Sequence, residues 1–545
     1  MKIRRAKLED LYKQGINPYG ERFERTHLAR EIIDHFDQLA ETETRIAGRI
    51  MSFRTHGKAS FADLADQSGR IQLYIRVDQV GEAKYEQFCK LDIGDVVAVY
   101  GRIFRTRRGE ISVEVYDFLM MAKSLRPLPD KWYGLKDVEI RYRQRYLDLI
   151  VNPDVRKVFE TRSRIIQALR GYLLERGFLE VETPMLNVIA GGATARPFVT
   201  YHNALDMDLY MRIAPELYLK RLLVGGFERV FEIGKNFRNE GISTKHNPEF
   251  TSVEIYQAYA DASDMMKLTE ELVAYIAQEV LGTTEVQFGD YTVNLAPPWP
   301  RLPMLEAVRQ YAGVDLAGLS DAEARAAARE KGLEIDPDAS YAQVLEELFD
   351  TYVEPNLIQP VFITDYPVEI SPLAKRKKDN PQLTERFEPF VVTWEIGNGF
   401  SELNDPIDQL DRFRKQVEKR ESGDEEAHMM DEDFIVALEY GMPPAGGLGI
   451  GIDRVLLAFS HFCCLVFKVH AGKHGKLPIC GICHWRQLSY LTTPVRVVSI
   501  TILRLNSLRH SPMCGDICVL YAPQTALSIA NCFQAPWLWP IHAGK

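Results

Sequence analysis

The spacing of apolar residues changes along the chain, and the change predicts two kinds of structure near the N-terminus. Over residues 1–43 apolar side chains such as Leu8 and Leu11 recur at helical spacing. Over residues 44–125 the apolar runs shorten and are separated by glycines, a pattern typical of β-strands. The sequence therefore predicts a helical arm followed by a strand-rich unit.

The strand-rich unit contains runs such as residues 46–50 and 96–100, with one short helix predicted near residues 83–89. Five short strands interrupted by one helix fit an OB-fold barrel. Pro127 and Pro129 then mark a linker, which we assign to residues 126–150.

A larger unit is predicted over residues 151–458, beginning with a long helix at 155–176. Its predicted strands cover residues 209–213, 228–233 and 250–255. Because hairpin-length loops join them, the sheet should be mainly antiparallel. Residues 262–385 are more helical and more polar, as an insertion would be. The predicted fold class is α+β: a barrel followed by an antiparallel sheet flanked by helices.

Composition limits the class of protein. The chain has 545 residues, enough for two or three domains, and a formal net charge of -10. An acidic chain can bind nucleic acid only through a locally basic face. The sequence has neither a long uncharged apolar run nor a signal peptide at its start, so we expect no membrane span and a cytoplasmic location.

The tail, residues 459–545, differs from the rest of the chain. It holds seven of the eight cysteines and a single acidic residue, Asp516. Such an abrupt change is typical of translated sequence that was not selected as protein, and we predict that the tail is not a native domain. Two alternatives stay open: another appended domain, or a zinc site. The zinc candidates are Cys480, Cys483, His484, His474, Cys514 and Cys518.

Two segments carry the candidate chemistry. In residues 237–250 an arginine is followed by an ordered polar and aromatic set; in 447–454 alternating glycines precede a second arginine. Neither has the spacing of a P-loop or of a dinucleotide fingerprint. Glycine at every second position clears one sheet face, and we expect a flat nucleoside to lie there. Paired guanidiniums suit the binding of a bent nucleoside triphosphate.

The two segments resemble motifs 2 and 3 of class II aminoacyl-tRNA synthetases. Three further runs narrow the resemblance to the lysyl-tRNA synthetases: Ala-Gly-Gly-Ala at residues 190–193, Ala-Pro-Glu-Leu-Tyr-Leu-Lys at 214–220, and the run from Trp394 to Asp405. The resemblance extends from about residue 2 to Leu457. It implies a class II catalytic domain over 151–458 and an anticodon-binding role for the OB unit.

The resemblance also implies roles for individual residues at the ATP site. Arg238 would contact the α-phosphate and the substrate carboxylate, and it forms the catalytic pair with Arg454. The implied ATP-binding set is Arg238, Glu240, His246, Phe250, Gly451 and Arg454. Phe250 and Arg454 would cover opposite faces of the adenine. Glu388 and Glu395 would hold Mg²⁺ against the phosphates.

The implied amino-acid pocket consists of Gly192, Glu216, Glu254, Tyr256, Asn398, Phe400 and Glu402. Three carboxylates cannot all stay ionised in a partly dry pocket without cations. A substrate with two ammonium groups supplies such cations, so the pocket favours L-lysine. A site built around a polar group rejects analogues that lack it by roughly 10⁴ or more.

Further expectations concern partners. Residues 177–184 resemble motif 1, which implies a symmetric homodimer. In the barrel Arg54, Phe61 and Gln72 are candidates for anticodon binding, since unstacked bases are recognised by aromatic stacking and edge hydrogen bonds. The basic run at residues 375–378 is a solvated loop or, less favoured, a tRNA contact.

The resulting hypothesis is an ATP-dependent lysine–tRNA ligase. It would activate L-lysine as lysyl-adenylate and transfer it to the 3′ end of tRNA(Lys), with Mg²⁺ as cofactor. Two alternatives stay open. One is a paralogue that lysylates a protein, although such relatives lack the barrel. The other is a catalytically impaired RNA-binding or regulatory protein.

Overall fold

A computed structural model describes residues 1–129, 135, 137–241 and 246–459. The proposed zinc ligands and the rest of the tail from residue 460 lie outside the described residues. So does the middle of motif 2, residues 242–245.

The predicted helical arm is three separate helices. They are α1 (Lys2–Lys13), α2 (Ala29–Asp34) and α3 (Phe36–Leu39). The helical period is interrupted because Gly15 adopts a positive φ of 68° and Pro18 follows it. Arg4 ties the arm to the end of the barrel by donating to the backbone oxygens of Ser124 and Arg126, both at 3.0 Å.

The strand-rich unit is a closed five-stranded barrel in the order β1-β2-β3-β5-β4. Its elements are β1 (Glu43–His56), β2 (Ala59–Ala65), β3 (Arg70–Arg76), α4 (Val77–Val80), α5 (Glu82–Cys89), β4 (Val96–Arg105) and β5 (Ile111–Ala122). Side chains of β2 and β3 alternate between buried and half-buried positions, as a barrel wall requires. A Cβ on Gly101 would lie 2.1 Å from the Glu114 carbonyl oxygen, so glycine permits this close strand crossing.

Three helices follow the barrel: α6 (Val138–Arg143), α7 (Arg145–Val151) and α8 (Pro153–Glu175). The buried Asp148 carboxylate accepts hydrogen bonds from Arg141 at 2.8 Å, from Asn152 at 2.7 Å and from Arg145, and so joins α6 to α7. Helix α8 confirms the long helix expected from the sequence and begins with Pro153, which suits a first helical position.

The rest of the described chain builds the larger unit. In order its elements are β6 (Leu179–Glu180), β7 (Leu186–Asn187), β8 (Val199–His202), β9 (Met207–Met211), α9 (Glu216–Val224), β10 (Arg229–Phe237), β11 (Glu249–Ala258), α10 (Ala262–Leu281), β12 (Glu285–Phe288), β13 (Tyr291–Asn294), β14 (Arg301–Pro303), α11 (Met304–Ala312), α12 (Asp321–Glu330), α13 (Tyr341–Leu348), β15 (Val361–Thr364), β16 (Arg386–Val391), β17 (Trp394–Glu395), β18 (Gly397–Ser401), α14 (Pro406–Glu421), α15 (Glu432–Glu439), β19 (Ala445–Gly451) and α16 (Ile452–Phe459). A π-helix (Phe349–Val353) and two 3₁₀ helices (Glu354–Asn356 and Val368–Ile370) complete the set.

Nine of these strands form one sheet in the order β14-β15-β16-β18-β19-β11-β10-β6, with β17 paired to β16. All pairs are antiparallel except β14–β15 and β10–β6 at the two ends, so the predicted antiparallel sheet is confirmed. Helices α8 and α10 pack their apolar residues against the sheet in one core. The central pair β11–β19 therefore lies on a rigid support.

The basic run at residues 375–378 is not a solvated loop as a whole. Lys375 donates to Asn404 at 3.0 Å, Arg376 to Asp408 at 3.2 Å, and Lys377 to Asp365 at 2.9 Å. Only Lys378 of the four is exposed. The sequence alone suggested unpaired basic side chains because the acidic partners, Asp365 and Asp408, lie up to about thirty residues away along the chain.

In the part of the chain that the structure describes, none of the helices has the length and apolarity needed to cross a membrane.

Candidate active site

A cavity of about 350 Å³ opens on the face of the central strands of the large sheet. Except for Glu402, every candidate residue that the sequence assigned to the catalytic unit lines this cavity. These residues are Gly192, Glu216, Arg238, Glu240, His246, Phe250, Glu254, Tyr256, Glu388, Glu395, Asn398, Phe400, Gly451 and Arg454. Glu402 follows β18 directly and is fully buried behind the wall.

Different elements present these side chains. Arg238 directly follows β10, and Phe250, Glu254 and Tyr256 lie on β11. Glu388, Glu395 and the pair Asn398 and Phe400 lie on β16, β17 and β18, respectively. Glu216 begins α9, Gly451 ends β19, and Arg454 lies in the first turn of α16. The cavity therefore depends on contacts between segments far apart in the sequence.

Arg238 is held by the hairpin that β10 and β11 form. Its backbone N–H donates to the Pro248 carbonyl oxygen at 2.9 Å, and its guanidinium lies 5.1 Å from the centre of the Phe250 ring. Burial lowers the pKa of the Arg238 guanidinium, although the charge of Glu240 opposes the shift. Its buried Nε has no hydrogen-bond partner among the described residues. An arginine in this state has donors available for an anionic ligand.

Arg454 enters the same cavity from α16. Its guanidinium donates to the Glu395 backbone oxygen at 2.7 Å and pairs with the Glu395 carboxylate at 2.9 Å. The charge of Glu395 raises the pKa of Arg454, while the charge of Arg454 contributes to lowering the pKa of Arg238. The two guanidiniums therefore share one cleft and interact through it.

The alternating glycines of β19 all line the cavity. A Cβ on Gly447 would lie 1.8 Å from Oε1 of Glu402 and 2.8 Å from the Tyr256 ring. A Cβ on Gly449 would lie 3.3 Å from the Glu254 carboxylate. These two glycines therefore also make room for acidic side chains. At Gly451 the nearest atoms to a Cβ belong to Arg454, at 3.6 Å or more.

The acidic end of the cavity gathers Glu216, Glu254 and Glu402. Burial raises the pKa of all three carboxyls, to about 7 for Glu254 and to about 8 for Glu402. The Tyr256 hydroxyl donates to Glu254 at 3.1 Å. The Lys220 ammonium donates to Glu216 at 2.6 Å and forms an ion pair with Glu402. This end of the cavity is therefore short of cations.

Arg386 also lines the cavity and holds two of its other residues in place. The sequence analysis did not identify it. It donates to Oδ1 of Asn398 at 3.0 Å and to Glu388 at 2.5 Å. Because Oδ1 is occupied, the amide nitrogen of Asn398 is the group left to donate into the cavity. The Tyr366 hydroxyl donates to the other oxygen of Glu388 at 2.8 Å. A single arginine in a strand carries no local pattern that would have revealed this role.

Glu388 and Glu395 form a pair of carboxylates on neighbouring strands. Burial raises the pKa of Glu388 to about 7, with Arg386 opposing and Glu395 adding to the shift. Like charges close together favour a cation between them. Among the described residues no group of three or more His, Cys, Asp or Glu side chains could hold a metal ion. A pair of carboxylates can hold Mg²⁺ only together with further ligands such as phosphate oxygens.

The anticodon candidates lie on the barrel and share one face of it. Arg54 is paired with Phe61 across β1 and β2, and Phe61 is paired with Tyr74 across β2 and β3. Gln72, two residues before Tyr74, points the same way and accepts a hydrogen bond from Ser112 at 3.0 Å. Phe61 stacks on Tyr74 at 4.9 Å, and Tyr74 lies 5.7 Å from Phe104. The face thus carries a row of aromatic rings, of which sequence reasoning selected one.

Comparison with known proteins agrees with these features. Residues 137–462 match the family of class II tRNA synthetases (D, K and N), and residues 44–120 match the OB-fold nucleic acid binding domain. The chain is 62% identical to a lysine–tRNA ligase of Pelotomaculum thermopropionicum over 464 residues, which cover 85% of this chain and 92% of that protein.

Similar lysine–tRNA ligases occur in two other organisms. The one from Moorella thermoacetica is 62% identical over 84% of this chain and 94% of its own length. The one from Carboxydothermus hydrogenoformans is 60% identical with the same coverage. With a barrel, an antiparallel sheet and a two-arginine cleft in place, the chain belongs to the class II tRNA synthetases of the D, K and N family.

Proposed function

We propose that this protein is an ATP-dependent lysine–tRNA ligase. The observation that carries the proposal is one cavity with two guanidiniums at one end and, at the other, the Glu216 and Glu254 carboxylates with Glu402 buried beside them. The first end suits a triphosphate and the second suits a diammonium amino acid. The lysine–tRNA ligases similar to this chain support the choice of substrate.

The first half-reaction joins the lysine carboxylate to the α-phosphorus of ATP and releases pyrophosphate. Such a step needs positioning and neutralisation of charge more than covalent help from the protein. Arg238 would hold the attacking carboxylate and the α-phosphate together, since its fork of donors can bind two oxygen-bearing groups. Arg454 would hold ATP from the opposite side. The proposed remaining ATP contacts are Glu240, His246, Phe250 and Gly451.

Lysine would lie across the acidic end. Glu216 and Gly192 would bind the α-ammonium group, while Glu402, Glu254 and Tyr256 would surround the ε-ammonium group. Phe400 would pack along the aliphatic stem. The free amide donor of Asn398 would orient the carboxylate towards the phosphorus. An amino acid without the second ammonium group would leave buried carboxylates unpaired, which is costly.

We propose that Glu388 and Glu395 hold Mg²⁺. When bound, the ion would neutralise charge on the ATP phosphates. The carboxylates themselves are positioned by Arg386, Tyr366 and Arg454, so their geometry is set before a ligand arrives.

In the second half-reaction a terminal hydroxyl of the tRNA would attack the lysyl-adenylate and release AMP. The barrel would bind the anticodon through Arg54, Phe61 and Gln72. The row of aromatic rings supports this role, because base stacking on a ring contributes about 1–3 kcal/mol per base. We assign no general base, since no side chain is required to act as one.

We also propose a symmetric homodimer. Nine large apolar side chains between residues 174 and 227 are exposed: Leu174, Leu179, Met185, Leu186, Val188, Val199, Tyr201, Leu205 and Phe227. Along the chain they lie within the motif 1 segment or close to it. A concentration of exposed apolar residues marks an interaction surface, and a two-fold interface would bury the same patch on both copies.

The test of function is exchange of labelled pyrophosphate into ATP with each amino acid in turn. We expect exchange with L-lysine and at least about 10⁴-fold less with norleucine, which lacks the ε-ammonium group. Absence of lysine-dependent exchange would favour the catalytically impaired alternative. Charging of tRNA(Lys), measured beside a protein acceptor, then distinguishes the ligase from a protein-lysylating paralogue.

A further inference from the structure

Lys220 lies buried between two carboxylates of the acidic pocket. It follows Glu216 by one turn of α9, and its ammonium group donates to Glu216 at 2.6 Å. On its other side it forms an ion pair with Glu402, and the side chains of Lys220 and Glu402 are both 0% exposed. The same ammonium group lies 5.3 Å from the centre of the Phe400 ring. A lysine of the protein itself thus lies buried beside the pocket proposed for substrate lysine.

Glu402 is only partly satisfied by this ion pair. Neither of its oxygens accepts a well-aligned hydrogen bond from any described residue, although both are buried. A buried carboxylate without hydrogen bonds is strongly disfavoured, so further donors are expected when the site is in use. Lys220 contacts Oε2 of Glu402 and leaves Oε1 open as an acceptor.

When all three carboxyls are ionised, the charges of the pocket balance once a dication joins Lys220. Glu216, Glu254 and Glu402 bring three negative charges when ionised, and Lys220 brings one positive charge. The substrate carboxylate would be neutralised at Arg238, outside this set. The two ammonium groups of lysine then complete three cations against three anions.

From this geometry we infer that Lys220 is a positioning and specificity residue: a resident ammonium that contacts both Glu216 and Glu402 and favours their ionised forms, so that the ionised pocket is neutral when a diammonium substrate joins it. The inference rests on the proposed lysine activation and names a residue that acts on lysine through the two carboxylates.

Other charged and titratable groups face this cluster from the elements around it. Glu254 and Tyr256 approach from β11, Arg386 from β16 and His428 from the segment before α15. The charges of Arg238 and Arg212 also act on Glu254.

Burial lowers the pKa of His428 to about 4, so it is neutral near pH 7. Burial disfavours the charged form of Lys220, but Glu216 and Glu402 outweigh burial and raise its pKa. Glu254 and Glu402, with pKa values of about 7 and about 8, are therefore the groups whose charge changes between pH 6 and 9.

The first test replaces the resident charge with an apolar chain of similar length, Lys220→Met. Without the ammonium, Glu216 and Glu402 repel each other and retain protons to higher pH, and a protonated carboxyl attracts ammonium weakly. In pyrophosphate exchange we expect the KM for lysine to rise at least about ten-fold, with the KM for ATP within about two-fold. The midpoint of the pH dependence of kcat/KM for lysine should move up by about one unit.

A matched control is Arg221→Met on the same helix. Arg221 pairs with Asp431 at 2.8 Å and with Asp433 at 3.0 Å, and it does not line the main cavity. We expect its thermal stability to fall while its KM for lysine and its pH midpoint stay at the wild-type values. This control separates the effect of losing an ion pair on α9 from the effect of losing the Lys220 charge.

The decisive variant is the double change Lys220→Met with Glu402→Gln. It removes one cation and one anion, so the net charge of the pocket returns to the wild-type value, although Glu216 loses Lys220 as its partner. We expect the pH midpoint to return to within about half a unit of wild type, although lysine still binds weakly because a contact is gone. If Lys220 only filled space, the pH midpoint would not return towards the wild-type value.

The outcomes are separable. Wild-type KM and pH midpoint in folded Lys220→Met would overturn the inference. Should Lys220→Met fail to fold, the double variant decides alone, and an upward midpoint in it would overturn the inference. Absence of lysine-dependent exchange in the wild-type protein would instead refute the proposed function.

Discussion

At the scale of single residues, the site depends on how closely groups approach one another. Gly447 is the clearest case, because the Glu402 carboxylate and the Tyr256 ring occupy the space that any side chain at 447 would need. At such a position the methyl group of an alanine would collide directly with the Glu402 carboxylate, which the proposed substrate would contact.

Gly447→Ala is therefore expected to displace Glu402. We predict a rise of about ten-fold or more in the KM for lysine with little change in the KM for ATP, and a loss of about 1–3 kcal/mol in unfolding free energy from overpacking. Steady-state exchange kinetics and denaturant unfolding measure the two effects. Gly171→Ala is the control, since a Cβ there meets nothing within 4 Å. Unchanged lysine kinetics in Gly447→Ala would contradict the close packing.

The raised carboxyl pKa values predict that lysine binding releases protons. Burial holds the pKa of Glu402 at about 8 and that of Glu254 at about 7 in the free protein, so both carry protons part of the time at pH 7. An ammonium group lowers both pKa values and expels those protons. Lysine affinity should therefore increase from pH 6 to about 8. Titration calorimetry in two buffers with different ionisation enthalpies measures the release; proton uptake, or none, would be inconsistent with it.

At the scale of elements, the junction of β19 and α16 sets the orientation of Arg454. Asp453, in the first turn of α16, accepts a hydrogen bond from the Thr251 backbone N–H at 3.0 Å and another from Arg162 on α8. One carboxylate thus ties α16 to the central strand β11 and to a packed helix. The orientation of Arg454 is a property of this junction and not of the arginine alone.

Asp453→Ala should misplace Arg454 without emptying the lysine pocket. We predict a higher KM for ATP and a lower kcat, each by about ten-fold, with a KM for lysine within about two-fold. Removing the partner of the partly buried Arg162 guanidinium should also cost about 1 kcal/mol in unfolding free energy. Exchange kinetics at varied ATP and varied lysine separate the two substrates. An equal effect on both KM values would indicate general unfolding of the site.

At the scale of the whole molecule, the exposed apolar surface around motif 1 is the main feature that a single chain leaves uncovered. Val188 and Leu205 are each about 60% exposed, and their neighbours on β7 and β8 are similar. Burial of apolar surface contributes about 25 cal/mol per Å², so covering this patch would favour association.

Val188→Arg is expected to convert the proposed dimer to monomers, because two-fold symmetry would place the new charge in the interface twice. Light scattering after size exclusion gives the mass of each form. Tyr291→Arg, at an exposed apolar position on β13, is the control and should leave the mass unchanged. A wild-type protein that is already monomeric would refute the proposed homodimer.

Much of this protein could be predicted from sequence because the deciding patterns are local. The five barrel strands follow from alternation of period two, and the β10–β11 hairpin brings Arg238 near Phe250 through pairing along neighbouring strands. The ordered set from residue 238 to 250 is short enough to be recognised as one motif. Local patterning therefore predicted the fold class, and the resemblance of short motifs to a known family predicted most of the functional residues that line the cavity.

Only the tertiary structure decided which distant charges meet. Lys220 contacts Glu402 across 182 residues of chain, and Arg386 reaches both Asn398 and Glu388 through strand order. The same holds for Gly447, whose need for glycine comes from Glu402 and Tyr256 on the two flanking segments. No local pattern encodes such contacts, because burial and electrostatic balance arise only when the strands are assembled side by side.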